Sequence, residues 1–488
     1  MSAPLRVAIL HYHLKRGGVT RVIESTLRGF SHLKEVPIQA VVLTGELPED
    51  FLYQEQACVV EGLHYSNSQT HTPDPATLLQ RLRNSAREAL GAEPDIWHFH
   101  NHSLGKNTAV PGVVSLLAEA GEALLLQIHD FAEDGRPQNY RCNQTDREFA
   151  DKLYPLGNHI HYGLINGRDY AIFADNNLPA SKRHLLANPV EVGDVQDDPE
   201  SVSALRSALH AENFFLCPVR ALRRKNPGEL LLWSALARPG DVFATTLGPT
   251  NPEYQQTYRA WKSLANRYQL PAHFGIGDTM NFPFSSMMQA ADCILSTSIT
   301  EGFGLSFLEP GLFGRPVAGR DLPEITADFK EKDIQLESLY RSLPIPASWI
   351  DKDSLSAEVD KHLGETYAAY GRQAPKDAIE RALESIQAKD NTYDFGGLNE
   401  ALQSKVIERL VEHPMARQEL PLETLPIPRF TDQAPRIRQT YGLDAFTRNL
   451  AHLYQQISDE RVSPVDYLTP GNLLDSFLMP ERFRLLRT

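Results

Sequence analysis

Short apolar runs alternate with amphipathic stretches along the first two-thirds of the chain. Residues 5–10 form a continuous apolar run, which is typical of a strand covered on both faces of a sheet. The stretch after it carries apolar residues at helical spacing between Val19 and Phe30. The same alternation continues through residues 38–43, 75–90, 96–100, 109–120, 124–129, 159–165 and 183–187. This pattern predicts a parallel sheet with helices on both faces.

A second series of the same kind begins after residue 190. Asn188-Pro189-Val190 and the acidic stretch 193–200 have the composition of a linker. Predicted strands and helices then alternate at 214–219, 227–236, 242–247, 254–268, 273–276, 284–291 and 293–295. Beyond about residue 335, amphipathic helix patterns broken by prolines predominate. We therefore expect an N-terminal Rossmann-like domain at 1–190, a C-terminal one at 191–400, and a helical extension at 401–488 that packs back across both.

Composition and charge narrow the class of protein. The chain has 488 residues and a formal net charge of −14, which argues against a broad surface for nucleic acid. Its cysteines lack metal-ligand spacing and are interpreted as buried thiols in a reducing compartment: Cys58, Cys142, Cys217 and Cys293. No cleavable leader or membrane-length apolar run is evident. These features predict a cytoplasmic protein without nucleic-acid or membrane partners, and they leave the oligomeric state open.

Glycine turns lie where two predicted strands meet helices. After the strand at 293–295, the turn Glu301-Gly302-Phe303-Gly304 leads into an apolar helix that contains Glu309. Such a turn lets the backbone approach a ligand, and the new helix offers N–H groups to an anion. Carboxylates accept hydrogen bonds from sugar hydroxyls, although these two glutamates alone also fit a helix cap and a solvated helix residue. Gly17-Gly18 follows the first strand and lacks the dinucleotide-binding fingerprint.

Basic and histidine residues also follow predicted strands. Arg220 to Lys225 form a positive cluster ahead of an apolar helix, which suits a phosphate or a basic helix cap. Histidines occur at three strand ends of the N-terminal half, where ligands of parallel sheets bind: His11, His13, His98, His100, His102 and His129. Some of them fit structural roles equally well. The H-x-H spacings lack a third ligand nearby, so a metal site is a minor interpretation.

The segment 292–325 resembles the donor-site signature of retaining GT-B glycosyltransferases of family 4, the superfamily of glycogen synthase and sucrose-phosphate synthase. The match consists of a glutamate, seven residues and a second glutamate, followed by two short motifs: Glu301, Gly302-Phe303-Gly304, Glu309, Gly314-Arg315-Pro316-Val317 and Pro323-Glu324-Ile325. Arg220 and Lys225 reproduce the family's arginine, four residues, lysine arrangement, and His129-Asp130 resembles its His-Asp pair. The resemblance implies a GT-B fold, an α/β architecture of two Rossmann-like parallel-sheet domains facing across a cleft, with a helical C-terminal extension.

The resemblance also implies an activity and a set of residues. It implies retaining, metal-independent transfer of a hexosyl group from a UDP-, GDP- or ADP-linked sugar, which is a co-substrate, so no cofactor is expected. The residues implied to be catalytic are His129, Arg220, Lys225 and Glu301. The donor would be bound by Gly17, Gly18, Arg220, Lys225, Gly302, Phe303, Gly304, Leu305 and Glu309. In the family's front-face mechanism, the leaving phosphate takes the proton of the acceptor.

The acceptor is the least determined substrate. The polar loop 131–147 is interpreted as an acceptor-side loop because long loops in compact folds are usually functional or mobile. The candidate acceptor-binding residues are Lys15, Arg16, His100, Lys106, Arg136 and Arg141. Since most of them are cations, they favour a small anionic acceptor, with ordinary surface residues as the alternative.

Two departures and several rival functions remain open. Pro310-Gly311 replaces an expected alanine and should bend or break the helix, while Arg320-Asp321-Leu322 replaces a Gly-Gly pair. The D-x-D at 351–353 suggests a metal-dependent GT-A enzyme, but aspartates at a predicted helix start favour capping. A GT-B phosphorylase, a sugar-nucleotide epimerase or a non-catalytic sugar-nucleotide binding protein are the alternatives. The intact cations and glutamates disfavour the last of these.

Overall fold

The computed structural model describes residues 3–66, 72–193, 198–389 and 391–487. The chain divides into two compact units. The first comprises residues 1–189, 369–371 and 439–478, and the second comprises 190–368, 372–438 and 479–488. Residues 194–197 of the predicted linker lie outside the described residues.

The first unit begins with alternating strands and helices, as the apolar pattern predicts. The strands up to residue 189 are β1 (Leu5–His11), β2 (Ile38–Thr44), β3 (Ala57–Val59), β4 (Ile96–His100), β5 (Leu124–Ile128), β6 (Pro155–Leu156), β7 (Ile160–Leu164) and β8 (Arg183–Leu185). The helices are α1 (Gly18–His32), α2 (Pro75–Leu90), α3 (Val110–Glu119), α4 (Pro137–Asn143) and α5 (Gly167–Asp175). The start of α2 shows how local sequence sets a boundary, since the Asp74 side chain accepts the N–H of Thr77 at 2.9 Å.

Seven of the described strands of the first unit form a parallel sheet in the order β3-β2-β1-β4-β5-β7-β8, and β6 lies outside it. The chain runs outward from β1 through β2 and β3, then returns to the other side of β1 with β4. The register pairs Leu10 with Phe99, so these two strands end side by side. Neighbouring strands whose connections leave in opposite directions open a crevice at their carboxyl ends. The histidines that follow β1 and β4 lie at this position.

The second unit repeats the alternation. Its strands are β9 (Asn213–Arg220), β10 (Asp241–Leu247), β11 (Ala272–His273), β12 (Cys293–Ser296), β13 (Val317–Arg320), β14 (Leu339–Tyr340), β15 (Pro344–Pro346) and β16 (Thr392–Asp394). Its helices are α6 (Pro199–Leu209), α7 (Pro227–Ala235), α8 (Pro252–Arg267), α9 (Ile276–Thr279), α10 (Phe284–Ala290), α11 (Leu305–Leu312), α12 (Pro323–Glu331), α13 (Lys352–Ala369), α14 (Ala378–Ile386), α15 (Glu400–Glu412) and α16 (Ala416–Glu419).

In the described residues, six of these strands form a parallel sheet in the order β11-β10-β9-β12-β13-β14. Here the chain reverses between β9 and β12, which pair through Phe215 with Cys293 and Leu216 with Ile294. The basic cluster follows β9 and the glycine turn follows β12. The topology therefore brings two segments that are about 75 residues apart in sequence to one edge of the sheet.

The last elements are α17 (Ala434–Tyr441), α18 (Leu443–Ser458), β17 (Asp466–Tyr467) and α19 (Pro470–Phe477). Helix α18 belongs to the first unit. Its apolar face is buried in the core of that unit and includes Phe446, Leu450 and Tyr454. It also contacts α1 closely, because a Cβ placed on Gly29 would lie 1.9 Å from Thr447 Oγ1. Part of the predicted C-terminal extension is thus core of the first unit.

Two local predictions are wrong, for the strand at 273–276 and for a break at Pro310, and two hold only in part. The predicted strand 273–276 is only two residues long, and Ile276 begins a helix instead. The loop 131–147 contains the helix Pro137–Asn143. Helix α11 continues through Pro310 and ends two residues later, because a proline near a helix C-terminus removes only one late hydrogen bond. Of the cysteines, Cys217 and Cys293 are buried, whereas Cys142 is exposed and Cys58 is half-buried.

Candidate functional site

Two hydrogen bonds to backbone carbonyl groups join the loops that follow β9 and β12. A 3-10 turn at Arg223–Lys225 follows β9, and Asn226 leads into α7 with a left-handed φ of 50°. The Thr297 hydroxyl, just after β12, donates to the carbonyl of Lys225 at 2.7 Å. The Ile299 N–H donates to the carbonyl of Arg224 at 3.0 Å. These contacts fix the basic cluster beside the glycine turn.

Lys225 and Glu301 form an ion pair at this position. The Lys225 ammonium contacts one carboxylate oxygen of Glu301, and Arg224 lies 3.5 Å from the other. The side chains of Lys225 and Glu301 are only 13% and 9% exposed. Burial raises the pKa of Glu301, but the charges of Lys225 and Arg224 outweigh burial and hold that pKa below its ordinary value. The carboxylate is therefore ionised and remains a hydrogen-bond acceptor.

The glycine turn prepares the N-terminus of α11 for an anion. Gly304 has a φ of 94°, and a Cβ there would lie 2.8 Å from Ile325 Cγ2, so no larger residue fits. The helix begins at Leu305, and its N-cap residue, Gly304, has no side chain to cap the first N–H groups. Gly302 beside it is exposed, Phe303 is buried, and Glu309 is half-buried one turn along the helix. Uncapped N–H groups and the helix dipole favour a bound negative charge here.

Arg220 is positioned by a different loop. It ends β9 and donates from Nη1 to the carbonyl of Gly248 at 2.9 Å. The N–H of Gly248 in turn donates to the Asp278 carboxylate at 2.7 Å. The structure thus brings Lys225 and Glu301 into contact and anchors Arg220 on the loop after β10.

Arg320, at the end of β13, has a structural role. Its guanidinium is buried and binds Glu229 at 2.5 Å and Asp394 at 2.7 Å. Both carboxylates raise the pKa of Arg320, and they outweigh its burial. A guanidinium held by two carboxylates is neutralised within the protein, so this position is not an additional cation for a diphosphate.

In the first unit, histidines meet where β1, β4 and β5 end. The Nδ1 of His100 and the Nε2 of His129 are 2.9 Å apart, and the two rings stack. The ring of His11 lies edge-on to that of His100. Burial lowers the pKa of His129 to about 4 and that of His11 to about 3, and it lowers the pKa of His100 well below 6.5. At neutral pH these imidazoles are uncharged and suit hydroxyl groups rather than anions.

Two of the strand-end histidines are structural. The Nδ1 of His98 bonds the Tyr454 hydroxyl at 2.7 Å, and its Nε2 bonds Gln127 at 3.1 Å. The Nε2 of His102 donates to the carbonyl of Leu153 at 2.9 Å. Both side chains are fully buried, so they fasten strands to neighbouring elements.

Asn101, directly after β4, holds the turn at His129 and was not predicted from the sequence. It has a φ of 58° and its side-chain oxygen accepts the N–H groups of His129 at 2.7 Å and Asp130 at 3.1 Å. Asparagine tolerates the left-handed conformation better than other non-glycine residues. An asparagine directly after a buried strand, within the run His98-Phe-His-Asn-His, was the signal available in the sequence.

Several candidate acceptor residues surround Tyr65. The Lys106 ammonium lies 5.4 Å from the centre of the Tyr65 ring, and His13 Nε2 lies 3.2 Å from the Tyr65 hydroxyl oxygen. Arg136 binds the carboxylate of Asp130. Burial raises the pKa of Tyr65, with Asp130 adding to the shift and Arg136 opposing it, so both charges act on the phenol. Lys106, Tyr65, Asp130 and Arg136 are referred to below as the tyrosine cluster.

The remaining candidate cations have other partners. Lys15 pairs with Glu46 at 2.7 Å. Arg16 is 92% exposed and pairs with Asp50, and Arg141 donates to the carbonyl of Ala369 at 3.0 Å. Within the described residues, neither arginine contacts the tyrosine cluster. Their acceptor role stays a prediction.

The Gly17-Gly18 turn does not need glycine for its backbone conformation. Gly17 has an extended φ of −177°, and a Cβ on Gly18 would meet no atom within 4 Å. The first turn of α1 has no side-chain cap. Open space above an uncapped helix start is consistent with the close approach of a ligand.

Metal and membrane features are not found in the described parts of the chain. Across residues 3–66, 72–193, 198–389 and 391–487, no group of three or more His, Cys, Asp or Glu side chains is arranged to hold a metal ion. In the same ranges, no helix is both long and apolar enough to cross a bilayer.

The two parallel sheets, each with a chain reversal at a ligand crevice, have the GT-B fold of glycosyltransferases. The chain superposes on Anabaena HepE in complex with UDP and glucose with a TM-score of 0.53, at 12% identity over 92% of this chain and 99% of that one. It superposes on sucrose-phosphate synthase from Thermosynechococcus elongatus with a TM-score of 0.53, at 12% identity over 93% of this chain and 99% of that one.

A curated protein is similar over its whole length. Mannosylglucosyl-3-phosphoglycerate synthase from Petrotoga mobilis is 24% identical over 514 residues, covering 98% of each chain. No family model matches this chain.

Proposed function

We propose that the chain is a retaining, metal-independent glycosyltransferase that moves a hexosyl group from a nucleotide-diphosphate sugar to a small anionic acceptor. The observation that carries the proposal is the buried contact between Lys225 and Glu301 beside the uncapped start of α11. A cation, an ionised carboxylate and the N-terminus of a helix whose N-cap residue is a glycine suit a ligand that joins a diphosphate to a sugar.

In this proposal the donor determines the role of each group. Lys225, Arg220 and the N-terminus of α11 oppose the charge that develops on the leaving diphosphate, which is transition-state stabilisation by preorganised positive groups. Glu301 orients the donor sugar through its hydroxyls, and Glu309 holds the ribose. The leaving phosphate takes the acceptor proton, so no side chain needs to act as nucleophile.

The neutral histidines and the tyrosine cluster are proposed to bind the sugars and the acceptor. His129 and His100 offer uncharged nitrogen atoms to hydroxyl groups, while Lys106 and Arg136 supply positive charge. The similarity to the Petrotoga mobilis synthase, whose named product contains a phosphoglycerate group, supports an anionic acceptor. We propose a mannosyl donor and glucosyl-3-phosphoglycerate as the first substrates to test.

The test is a transfer assay with the full chain in the presence of EDTA. UDP-, GDP- and ADP-linked mannose and glucose are paired with glucosyl-3-phosphoglycerate, with 3-phosphoglycerate and with glucosylglycerate, which lacks the phosphate. We expect transfer to a phosphorylated acceptor and a product whose anomeric configuration, read by NMR, matches the donor. An inverted product contradicts retention, and activity that requires a divalent ion contradicts metal independence.

Site variants then separate this proposal from its rivals. Arg220→Ala and Glu309→Ala are expected to raise the KM for the nucleotide sugar about tenfold or more, because each removes a charged hydrogen-bonding group. Arg259→Ala is the control, since Arg259 is an exposed arginine on α8. Release of sugar phosphate that requires inorganic phosphate would identify a phosphorylase, and an epimerised donor without acceptor would identify an epimerase. Nucleotide binding without turnover would identify a binding protein.

The cytoplasmic location predicted from the sequence belongs to the same proposal. The four cysteines are free thiols, which fits a reducing compartment.

A further inference from the structure

The second unit contains a cavity of about 290 Å³ next to the candidate donor site. It lies where β12 and β13 end and where α12 begins, with Glu301 and Leu322 among its lining residues. Arg341, after β14, and Arg484, near the C-terminus, also line it. Arg220 and Lys225 do not line the cavity, so it is separate from the cations assigned to the donor diphosphate.

The carboxylates around this cavity are already paired. Each acidic side chain of the lining has a basic partner: Glu301 with Lys225, Asp321 with Lys330 at 2.9 Å, Glu324 with Arg482 at 3.3 Å, and Asp394 with Arg320 at 2.7 Å. Their negative charge is therefore compensated within the protein.

Arg341 and Arg484 are not compensated in this way. Within the described residues, neither has a carboxylate oxygen within 4.0 Å. The hydrogen bonds of Arg484 all use Nη1, which donates to the carbonyls of Glu481 at 2.9 Å and Phe483 at 2.7 Å and to Ser385 Oγ at 3.2 Å. Its Nε and Nη2 groups have no partner in the described part of the chain. Burial lowers the pKa of Arg484, and the charges of Asp394 and Glu324 oppose that shift without cancelling it.

The start of α12 adds a second favourable feature for an anion. This nine-residue helix begins at Pro323, and its N-cap residue, Leu322, makes no capping hydrogen bond through its apolar side chain. Leu322, Pro323 and Ile325 of that first turn line the same cavity. Two uncompensated guanidinium groups beside a helix N-terminus form a geometry that suits the oxygen atoms of a phosphate monoester.

We propose that this cavity binds the phosphate of the acceptor, and that Arg341 and Arg484 determine the enzyme's preference for phosphorylated acceptors. The inference rests on the proposed function, because Glu301 at the cavity edge is the residue assigned to the donor sugar.

The test compares acceptors with and without the phosphate. Arg341→Ala and Arg484→Gln are assayed with glucosyl-3-phosphoglycerate, with glucosylglycerate, which keeps the carboxylate but lacks the phosphate, and with a fixed nucleotide sugar; Arg259→Ala is the matched control. We expect the KM for the phosphorylated acceptor to rise about tenfold or more, while the KM values for the unphosphorylated acceptor and the nucleotide sugar change less than about twofold. Arg341→Lys should recover part of the loss, because it keeps the charge without the planar fork.

Binding measured without turnover keeps the two proposals distinguishable. Titration of 3-phosphoglycerate, glycerate and inorganic phosphate by calorimetry should show phosphate-dependent binding to the wild-type chain that Arg341→Ala weakens. That result supports the cavity even if no nucleotide sugar is transferred, in which case only the proposed function fails. An active enzyme would overturn the cavity proposal if its variants raised the KM equally for phosphorylated and unphosphorylated acceptors, or mainly for the nucleotide sugar. Because Arg341 is exposed, its variants should fold if Arg484→Gln does not.

Discussion

At the scale of single residues, the Glu301 carboxylate has two cations that differ in burial. Lys225 is 13% exposed and in direct contact with it, whereas Arg224 is 44% exposed and 3.5 Å away. The strength of an ion pair depends on its shielding from water, so exposed pairs contribute little. The proposed chemistry therefore depends on Lys225 and not on Arg224.

Lys225→Ala should lower kcat about a hundredfold or more, because it removes a preorganised positive charge and leaves the buried Glu301 carboxylate with only the exposed Arg224 as its cation. Arg224→Ala should change kcat less than about threefold, since that pair is exposed. Steady-state kinetics with saturating donor would measure both. Equal losses in the two variants would show that the cluster acts only by its total charge.

Asn101 allows a second comparison at this scale. Asn101→Ala leaves the buried N–H groups of His129 and Asp130 without an acceptor, and we expect a loss of about 1–3 kcal/mol in the free energy of unfolding. Asn101→Asp retains the oxygen acceptor and the tolerance for a left-handed φ, so it should lose less. Urea denaturation followed by circular dichroism measures the difference. If the aspartate variant is as unstable as the alanine variant, the side-chain oxygen is not what holds the turn.

Residue types carry chemistry, but their partners depend on the fold. The sequence identified Lys225 and Glu301 from their place after two strands, and the structure puts them in contact. It did not identify Arg484, because that residue lies in a C-terminal segment whose pattern predicts only a helix. The sequence also did not show that His98 has a structural role and His100 does not, because both lie in the same strand, β4. Only the packing of α18 against the sheet gives His98 its partner, Tyr454.

At the scale of secondary-structure elements, long apolar runs determined what was predictable. The strands β1, β4, β5, β9 and β12 were predicted to within one or two residues because they are buried on both faces. The short edge strand β11 was misplaced, since two paired residues leave no pattern in the sequence. Helix α4 was missed because its seven residues are mostly polar.

The contact between α1 and α18 leads to a prediction about this element pair. Gly29→Ala should destabilise the chain by about 1–3 kcal/mol, because the new methyl group would overlap Thr447 Oγ1. Gly364→Ala in α13 is the control, since a Cβ there meets nothing within 4 Å and the change should stabilise that helix by up to about 1 kcal/mol. Thermal unfolding of both variants measures this difference. Stabilisation by both substitutions would mean that the two helices are farther apart than described.

At the scale of the whole molecule, each compact unit is built from segments that are not continuous in sequence. Residues 439–478 return to the first unit, where α18 completes the apolar core on one face of the sheet. A core of that kind forms from segments that are far apart in sequence, so no local pattern identifies it. The amphipathic period of α18 predicted a helix and could not indicate which sheet it covers.

The distribution of buried histidines makes the first unit sensitive to acid. Burial lowers the pKa of His11 and His98 to about 3 and that of His102 and His129 to about 4, against about 6.5 in an unfolded chain. Between pH 6.5 and 4 the unfolded state binds protons that the folded state does not, so stability falls as the pH falls. Glu133 has the opposite effect on stability, because burial raises the pKa of its carboxyl group to about 7 and the folded state then binds a proton that the unfolded state releases.

The first unit should therefore lose stability between pH 7 and pH 5.5 while the second sheet changes less. Each of the four histidines contributes about 1.4 kcal/mol per pH unit below 6.5, and Glu133 cancels roughly one of them. Hydrogen exchange, corrected for the intrinsic pH dependence of the rate, measures protection in β1, β4 and β5 against β9, β10 and β12 as an internal control. We expect protection in the first set to fall, since its strands carry or adjoin these histidines. Unchanged protection in both sheets would mean that the histidines are already protonated or solvated in the native state, which contradicts their description as neutral ligands for sugar hydroxyls.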